Sequence, residues 1–88
     1  MRERDIEQHL VRRVKQLGGE VRKTQWIGRV NAPDRRVMLP GRKPIWVELK
    51  ATGQVPTPQQ IREHNRMRRL GELVEVIDSI DGVEALLA

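Results

Sequence analysis

The sequence predicts an α/β fold in which a mixed β-sheet is flanked by helices, with the element order αβββαβα. Three observations carry that expectation. Apolar residues recur at helical spacing from the start of the chain up to Gly18-Gly19. A run at residues 45–50 alternates with period two behind a Pro- and Gly-containing turn. A helix-start signature at Thr57-Pro58-Gln59-Gln60 then leads on to the apolar run Leu73–Ile77.

Each element follows from local chemistry. In residues 3–17, Ile6, Leu10, Val11, Val14 and Leu17 form an amphipathic helical stripe, and the glycine pair is a natural stop. Residues 20–27 and 35–39 read as strands, separated by a loop from Gly28 to Pro33. The turn chemistry of residues 39–44 makes the strands around it an antiparallel hairpin, and Leu39 pairing near Pro44 would set Asp34 beside Leu49. Alternation puts Ile45, Val47 and Leu49 on one face of the third strand and Trp46, Glu48 and Lys50 on the other. Thr57 as N-cap, Pro58 at the first helical position and Gln60 at the third open a helix to Leu70, stopped by Gly71. Residues 73–77 suit a central strand, and Asp81-Gly82-Val83-Glu84 offers a capping box for a last short helix ending at Ala88.

Composition narrows the function. The 88 residues leave room for one domain, residues 1–88, whose core must be built from Val, Ile, Leu and Met because Trp26 and Trp46 are the only aromatics. Oligomerisation is a natural source of extra stability at this size. The net charge is +5, and thirteen of the seventeen cationic residues are Arg, the side chain suited to forked contacts with phosphate. A polyanionic partner or a merely solvated basic surface both satisfy that charge. With no cysteine, disulfides, thiolate zinc sites and thiol nucleophiles are excluded. No apolar run is long enough for a membrane span, and the N-terminus lacks a secretory signal, so an intracellular, cytoplasmic setting is expected.

The chemistry concentrates on Pro33-Asp34 and, after thirteen intervening residues, Glu48-Leu49-Lys50. The hairpin folds these together, so that two carboxylates and an amine converge at one edge of the sheet. Hard oxygen donors of that kind suit Mg²⁺ or Mn²⁺, held by Asp34, Glu48 and the Leu49 main-chain carbonyl. Such an ion activates water and neutralises phosphate charge, and Lys50 beside it can position the water or stabilise developing charge. The implied reaction is phosphodiester hydrolysis. Glu7, on the apolar stripe of the first helix, is either a further ligand reaching the site or an edge residue that snorkels to water. Arg29, Arg35, Arg36, Arg42 and Lys43 are the DNA-contact candidates, while the arginines of the later helix either track phosphate or form a solvated face. Trp46 either stacks on a base or supports the sheet. His9 and His64 have no partner at metal-ligand spacing and receive no role.

Several dispersed elements in order make the sequence resemble the VRR-NUC (virus-type replication-repair nuclease) family of the PD-(D/E)xK superfamily. They are Gly28-x-x-Asn31-x-Pro33-Asp34-Arg35, Gly41, Val47-Glu48-Leu49-Lys50-Ala51, a Gln in the next helix, and Leu70-Gly71 leading into Val74-Glu75-Val76. The resemblance covers about residues 7–77. It implies a restriction-endonuclease-like αβββαβ core, metal binding by Asp34 and Glu48, a catalytic Lys50, and Glu7 as the acidic residue of the first helix. Of Gln59 and Gln60, the family pattern favours Gln60 as the site glutamine. Small stand-alone members resemble phage-type homodimeric enzymes acting on four-way (Holliday) junctions. The resemblance therefore implies an intracellular, bacterial or phage-encoded endodeoxyribonuclease that cuts branched DNA. A nonspecific or flap-directed nuclease and a non-catalytic nucleic-acid-binding subunit are the alternatives.

Overall fold

The structure, a computed structural model, describes residues 1–88. The elements run α1 (Glu3–Gln16), β1 (Glu20–Lys23), β2 (Arg35–Met38), β3 (Ile45–Leu49), α2 (Pro58–Arg69), β4 (Leu73–Ile77) and α3 (Ile80–Leu87), the order expected from sequence. The four strands form one sheet in chain order; β1, β2 and β3 are antiparallel neighbours and β4 lies parallel to β3. No helix is long and apolar enough to cross a membrane.

The sheet separates an apolar layer from a polar one. Ile6, Leu10 and Val14 recur every four residues and turn one fully buried row of α1 onto Val37, Ile45, Val47 and Leu49, with Val83 and Leu87 of α3 closing the same core. Val11 and Leu17, read from sequence as part of the stripe, stay exposed, so the buried row is narrower than the apolar pattern. Glu84 on α3 accepts hydrogen bonds from His9 Nε2 and Arg13 Nε of α1, which ties the two helices together. Across the sheet, α2 covers the face that carries Trp46 and Glu48, and its buried residues are Glu63, His64 and Met67. Ile61 and Leu70, two of the apolar residues that define this helix in sequence, face solvent.

Both long helices stop on a glycine in left-handed conformation. Gly18 (φ 83°) and Gly71 (φ 92°) let the next residue's N–H reach back to the helix, Gly19 to Val14 O and Glu72 to Met67 O. Thr57 caps α2 as its sequence predicts, with the reciprocal Gln60 bond in place. The cap of α3 differs from expectation. Ser79 Oγ, not Asp81, accepts the Gly82 N–H, and the helix starts at Ile80.

Three further expectations are corrected. β1 ends at Lys23 rather than Ile27, because its partner β2 begins only at Arg35, after Pro33, and Asn31 adopts a positive φ of 69°. The hairpin register is one residue from that read in sequence: Val37 faces Ile45 and Arg35 faces Val47, while Leu39 leaves the ladder to pack in the core. The ladder, continued, sets Asp34 across from Glu48. β4 is an edge strand rather than a central one, and β3 is interior, so the Glu48–Lys50 segment lies at the C-terminal end of an inner strand and not at the sheet edge.

Gly19 marks where α1 meets the hairpin. A Cβ there would lie 2.3 Å from Met38 O and 3.0 Å from Leu39 Cδ2 and Val14 Cγ1. Gly19→Ala is therefore expected to destabilise the chain by about 1–3 kcal/mol, the usual cost of overpacking a fixed backbone. Urea unfolding measures it, and an unchanged midpoint would contradict this packing.

Candidate active site

Asp34 is held by its backbone before its side chain is used. The Thr24 N–H donates to Asp34 O (2.9 Å), the Thr24 hydroxyl donates to Pro33 O, and Arg35 Nη1 donates to Asp34 O (3.0 Å). Its Oδ2 accepts the Leu49 N–H at 2.9 Å. The neighbouring Lys50 N–H pairs with Ile77 O on β4. Because successive residues of a strand alternate sides, the Leu49 N–H and carbonyl both face Asp34.

Glu48 is 2% exposed. Its Oε2 is ion-paired with Lys50 Nζ (3.2 Å) and accepts from Gln60 Nε2 (3.3 Å). Gln60 Oε1 in turn accepts from Lys50 Nζ (3.0 Å) and the Thr57 N–H (2.9 Å). The capping box of α2 thus fixes the one side chain that touches both members of the Glu-x-Lys pair. Glu48 Oε1 is buried without a partner. His64 Nε2, also without one, stands 3.8 Å from it, beyond hydrogen-bond range.

Burial first, and the Asp34 charge second, push the Glu48 carboxyl up to about 7, against the opposing hydrogen bond and charge of Lys50. Glu3 adds to the upward push. Burial, with the charges of Arg68 and Lys50, lowers His64 below the ordinary imidazole range and keeps it neutral near pH 7. The 3.8 Å His64–Glu48 approach is therefore not an ion pair.

The structure brings Asp34, Glu48, Leu49, Lys50 and Gln60 together, and Gln59 instead faces a neighbouring cavity. Glu7 is paired with Arg35, whose guanidinium also sits in the field of Glu3 and Glu48 and is lowered mainly by burial. No cluster of three or more His, Cys, Asp or Glu side chains is formed, so the available donors are two carboxylates and a main-chain carbonyl. With Glu48 Oε1 unsatisfied, that set fits a hard divalent ion that keeps several waters.

The other cationic candidates are largely engaged. Arg42 donates to the last carbonyls of α3, Lys43 to Gly71 O, and Arg36 lies 4.3 Å over the Trp46 ring and 3.8 Å from Glu72. Arg29 bonds Glu63 but is half exposed. Sequence reasoning missed Glu3, His64 and Glu63. The helical spacing Gln60, Glu63/His64, Met67 was the available signal, since it puts all four on one face.

The fold and this cluster define an α/β nuclease-like core. A solved structure titled "VRR_NUC domain" superposes with a TM-score of 0.88 at 38% identity, covering 97% of this chain and 92% of that one. A protein of Acyrthosiphon pisum secondary endosymbiont phage 1 named "Putative nuclease p44" is 51% identical over 81 residues, 92% of this chain and 87% of its own length. No family model matches. The chain belongs to the VRR-NUC family, as its dispersed motifs indicate.

The raised Glu48 pKa has a sign. Between pH 4.5 and about 7 the folded carboxyl keeps a proton that the unfolded one has lost, so stability contributed by this group falls as pH rises through that window. In metal-free protein, Glu48→Gln is expected to remove a slope of up to about 1.4 kcal/mol per pH unit there and to be more stable than wild type above pH 7. Denaturant unfolding at several pH values tests this; parallel pH profiles would refute it.

Proposed function

We propose that the chain is a divalent-metal-dependent endonuclease that hydrolyses phosphodiester bonds in branched DNA, with Asp34, Glu48 and the Leu49 carbonyl holding the ion. The observation that carries this reading is the locked group at the end of β3: Glu48 buried with one oxygen unpartnered, and Lys50 and Gln60 bonded to the other and to each other. A structural ion pair would have no need of a second carboxylate, Asp34, close enough to push the Glu48 pKa upward. The phage relative's name and the VRR_NUC title support the same chemistry.

Bound Mg²⁺ or Mn²⁺ supplies an activated water and neutralises charge on the scissile phosphate. The chain's own groups do the rest. Asp34 is oriented by the Leu49 N–H, and its remaining oxygen would hold the ion. Lys50 carries its ammonium beside Glu48, where it donates to phosphate oxygens as charge develops. Gln60 holds that ammonium and the carboxylate in one geometry. Glu7 keeps Arg35 in place, and pairing of Glu7 with the ion or its waters would release Arg35 toward DNA. Arg29 and Arg36 add positive charge on the α2 side of the sheet, whereas Arg42 and Lys43, on the turn before β3, lie at the other end of that strand from Glu48.

With Mg²⁺ or Mn²⁺ the protein is expected to cut four-way junctions or flaps faster than linear duplex. Glu48→Gln and Lys50→Ala should each lower the rate by about 10²-fold or more while DNA binding persists. A Lys50→Ala protein as active as wild type would reject the assignment, and binding without cutting in every metal would make the chain a binder.

A homodimer is proposed on the family resemblance, because two sites related by a twofold axis can address two strands of a junction. Sedimentation at micromolar concentration should show a dimer; a strict monomer that makes paired nicks would end that reading.

A further inference from the structure

Beside the catalytic cluster, on the α2 side of the sheet, lie two adjoining cavities. One of about 400 Å³ is lined by Arg29, Asn31, Gln59, Arg62 and Arg66. The other, about 280 Å³, is walled by Trp26, Trp46, Met67 and Leu70. Arg29, Glu63 and Arg66 border both. Glu63 is buried, and its oxygens accept from Trp26 Nε1 (2.9 Å), Arg29 Nη2 (2.9 Å) and Arg66 Nε (3.3 Å). One carboxylate therefore fixes an indole and two guanidiniums where the cavities meet.

We propose that the two cavities form a nucleotide subsite, in which an unpaired DNA base enters the tryptophan corner and its phosphate lies on Arg29, Arg62 and Arg66. The inference rests on the nuclease reading and adds to it what the strand next to the cut looks like. Trp26 and Trp46 meet at 65° with centroids 5.3 Å apart, so they make a corner rather than a closed stack. The aromatic cavity is smaller than the roughly 300–1,000 Å³ clefts that take drug-sized ligands, which suits one flat ring system. Its neighbour carries three arginines against one carboxylate, which suits phosphate.

Position links the subsite to the chemistry. Trp46 and Glu48 are two residues apart on the same face of β3, about 7 Å. Asn31 leads through Pro33 into Asp34, and Gln59 precedes Gln60, so both walls of the basic cavity run into site residues. A base inside a duplex cannot reach the corner without leaving its stack. Overhangs, bulges and branch points present one already free.

The only two tryptophans of the chain stand at this corner, so their fluorescence reads its occupancy directly. Wild-type protein in EDTA is titrated with a duplex bearing a short single-stranded overhang, with the same duplex bearing abasic sugars in the overhang, and with the blunt duplex. The expected result is strong quenching by the base-bearing overhang alone, and affinity about fivefold or more above the abasic form, as one stacked base gives. Trp26→Ala should bring the ratio of the two affinities near one, and Trp26→Phe should keep part of it. Equal quenching and equal affinity for base-bearing and abasic overhangs in wild type would overturn the subsite, whether or not the variants fold. Cleavage with Mn²⁺ in parallel separates the two readings. Cutting without base preference rejects the subsite alone, and base-selective binding without cutting rejects the nuclease alone.

Discussion

The structure is organised around a carboxylate buried on the wrong side of a sheet. β3 sends Ile45, Val47 and Leu49 into a conventional apolar core, and by strict alternation it must send Glu48 into the opposite layer, under α2. Removing a carboxylate from water is costly unless its oxygens are paired. Lys50 and Gln60 satisfy one oxygen, the other stays empty, and the proton affinity of the group rises in response. The rest of the α2 layer is adapted to this. Gln60, Glu63 and His64 occupy inward helical positions that a purely structural helix would fill with Leu or Ile, and Met67 with Val74 supply what apolar contact remains.

That division of labour explains why α1 and α3 are so firmly joined. With one face of the sheet given over to polar groups, the hydrophobic effect acts mainly on the other, and a chain of this size has little margin. The row Ile6, Leu10, Val14, the Glu84 link to His9 and Arg13, and the close backbone approach at Gly19 all strengthen the apolar layer. The α2 layer is held instead by specific bonds: the Thr57 cap, Trp26 to Glu63, Trp46 to Glu72, and Arg68 to the Val74 carbonyl.

The parts of the molecule governed by local patterning were legible in the sequence. Alternation separated Val47 and Leu49 from Glu48 and Lys50, glycine stops ended both long helices, and the Thr57–Gln60 box placed Gln60. What depended on tertiary pairing was not. The register slipped by one residue because Leu39 joins the core instead of the ladder, and an apolar β4 read as central lies at the edge, paired on one side with β3. His64 looked inert since its neighbour Glu48 is sixteen residues away in sequence and adjacent only once α2 crosses over β3. Glu63 was invisible for the same reason, its partners Trp26 and Arg29 coming from a distant loop.

Counting cations in the sequence therefore misjudges where the field lies. Arg13, Arg35, Arg42, Lys43 and Arg68 are spent on carboxylates or helix and strand carbonyls within the fold. At the mouth of a cavity Arg29 and Arg66 share the single carboxylate of Glu63 beside Arg62, and the three come from the β1–β2 loop and α2, the two segments that also deliver Asp34 and Gln60. These three place positive charge beside the carboxylates. Cations in that position would offset the repulsion that two carboxylates exert on an approaching anion. The loop at residues 24–34 is then no mere connection. Thr24 clamps its end, Trp26 and Arg29 are fixed on Glu63, and its last residues set the Asp34 carboxylate against Leu49, so a single irregular segment joins the Glu63 cluster to the placement of Asp34.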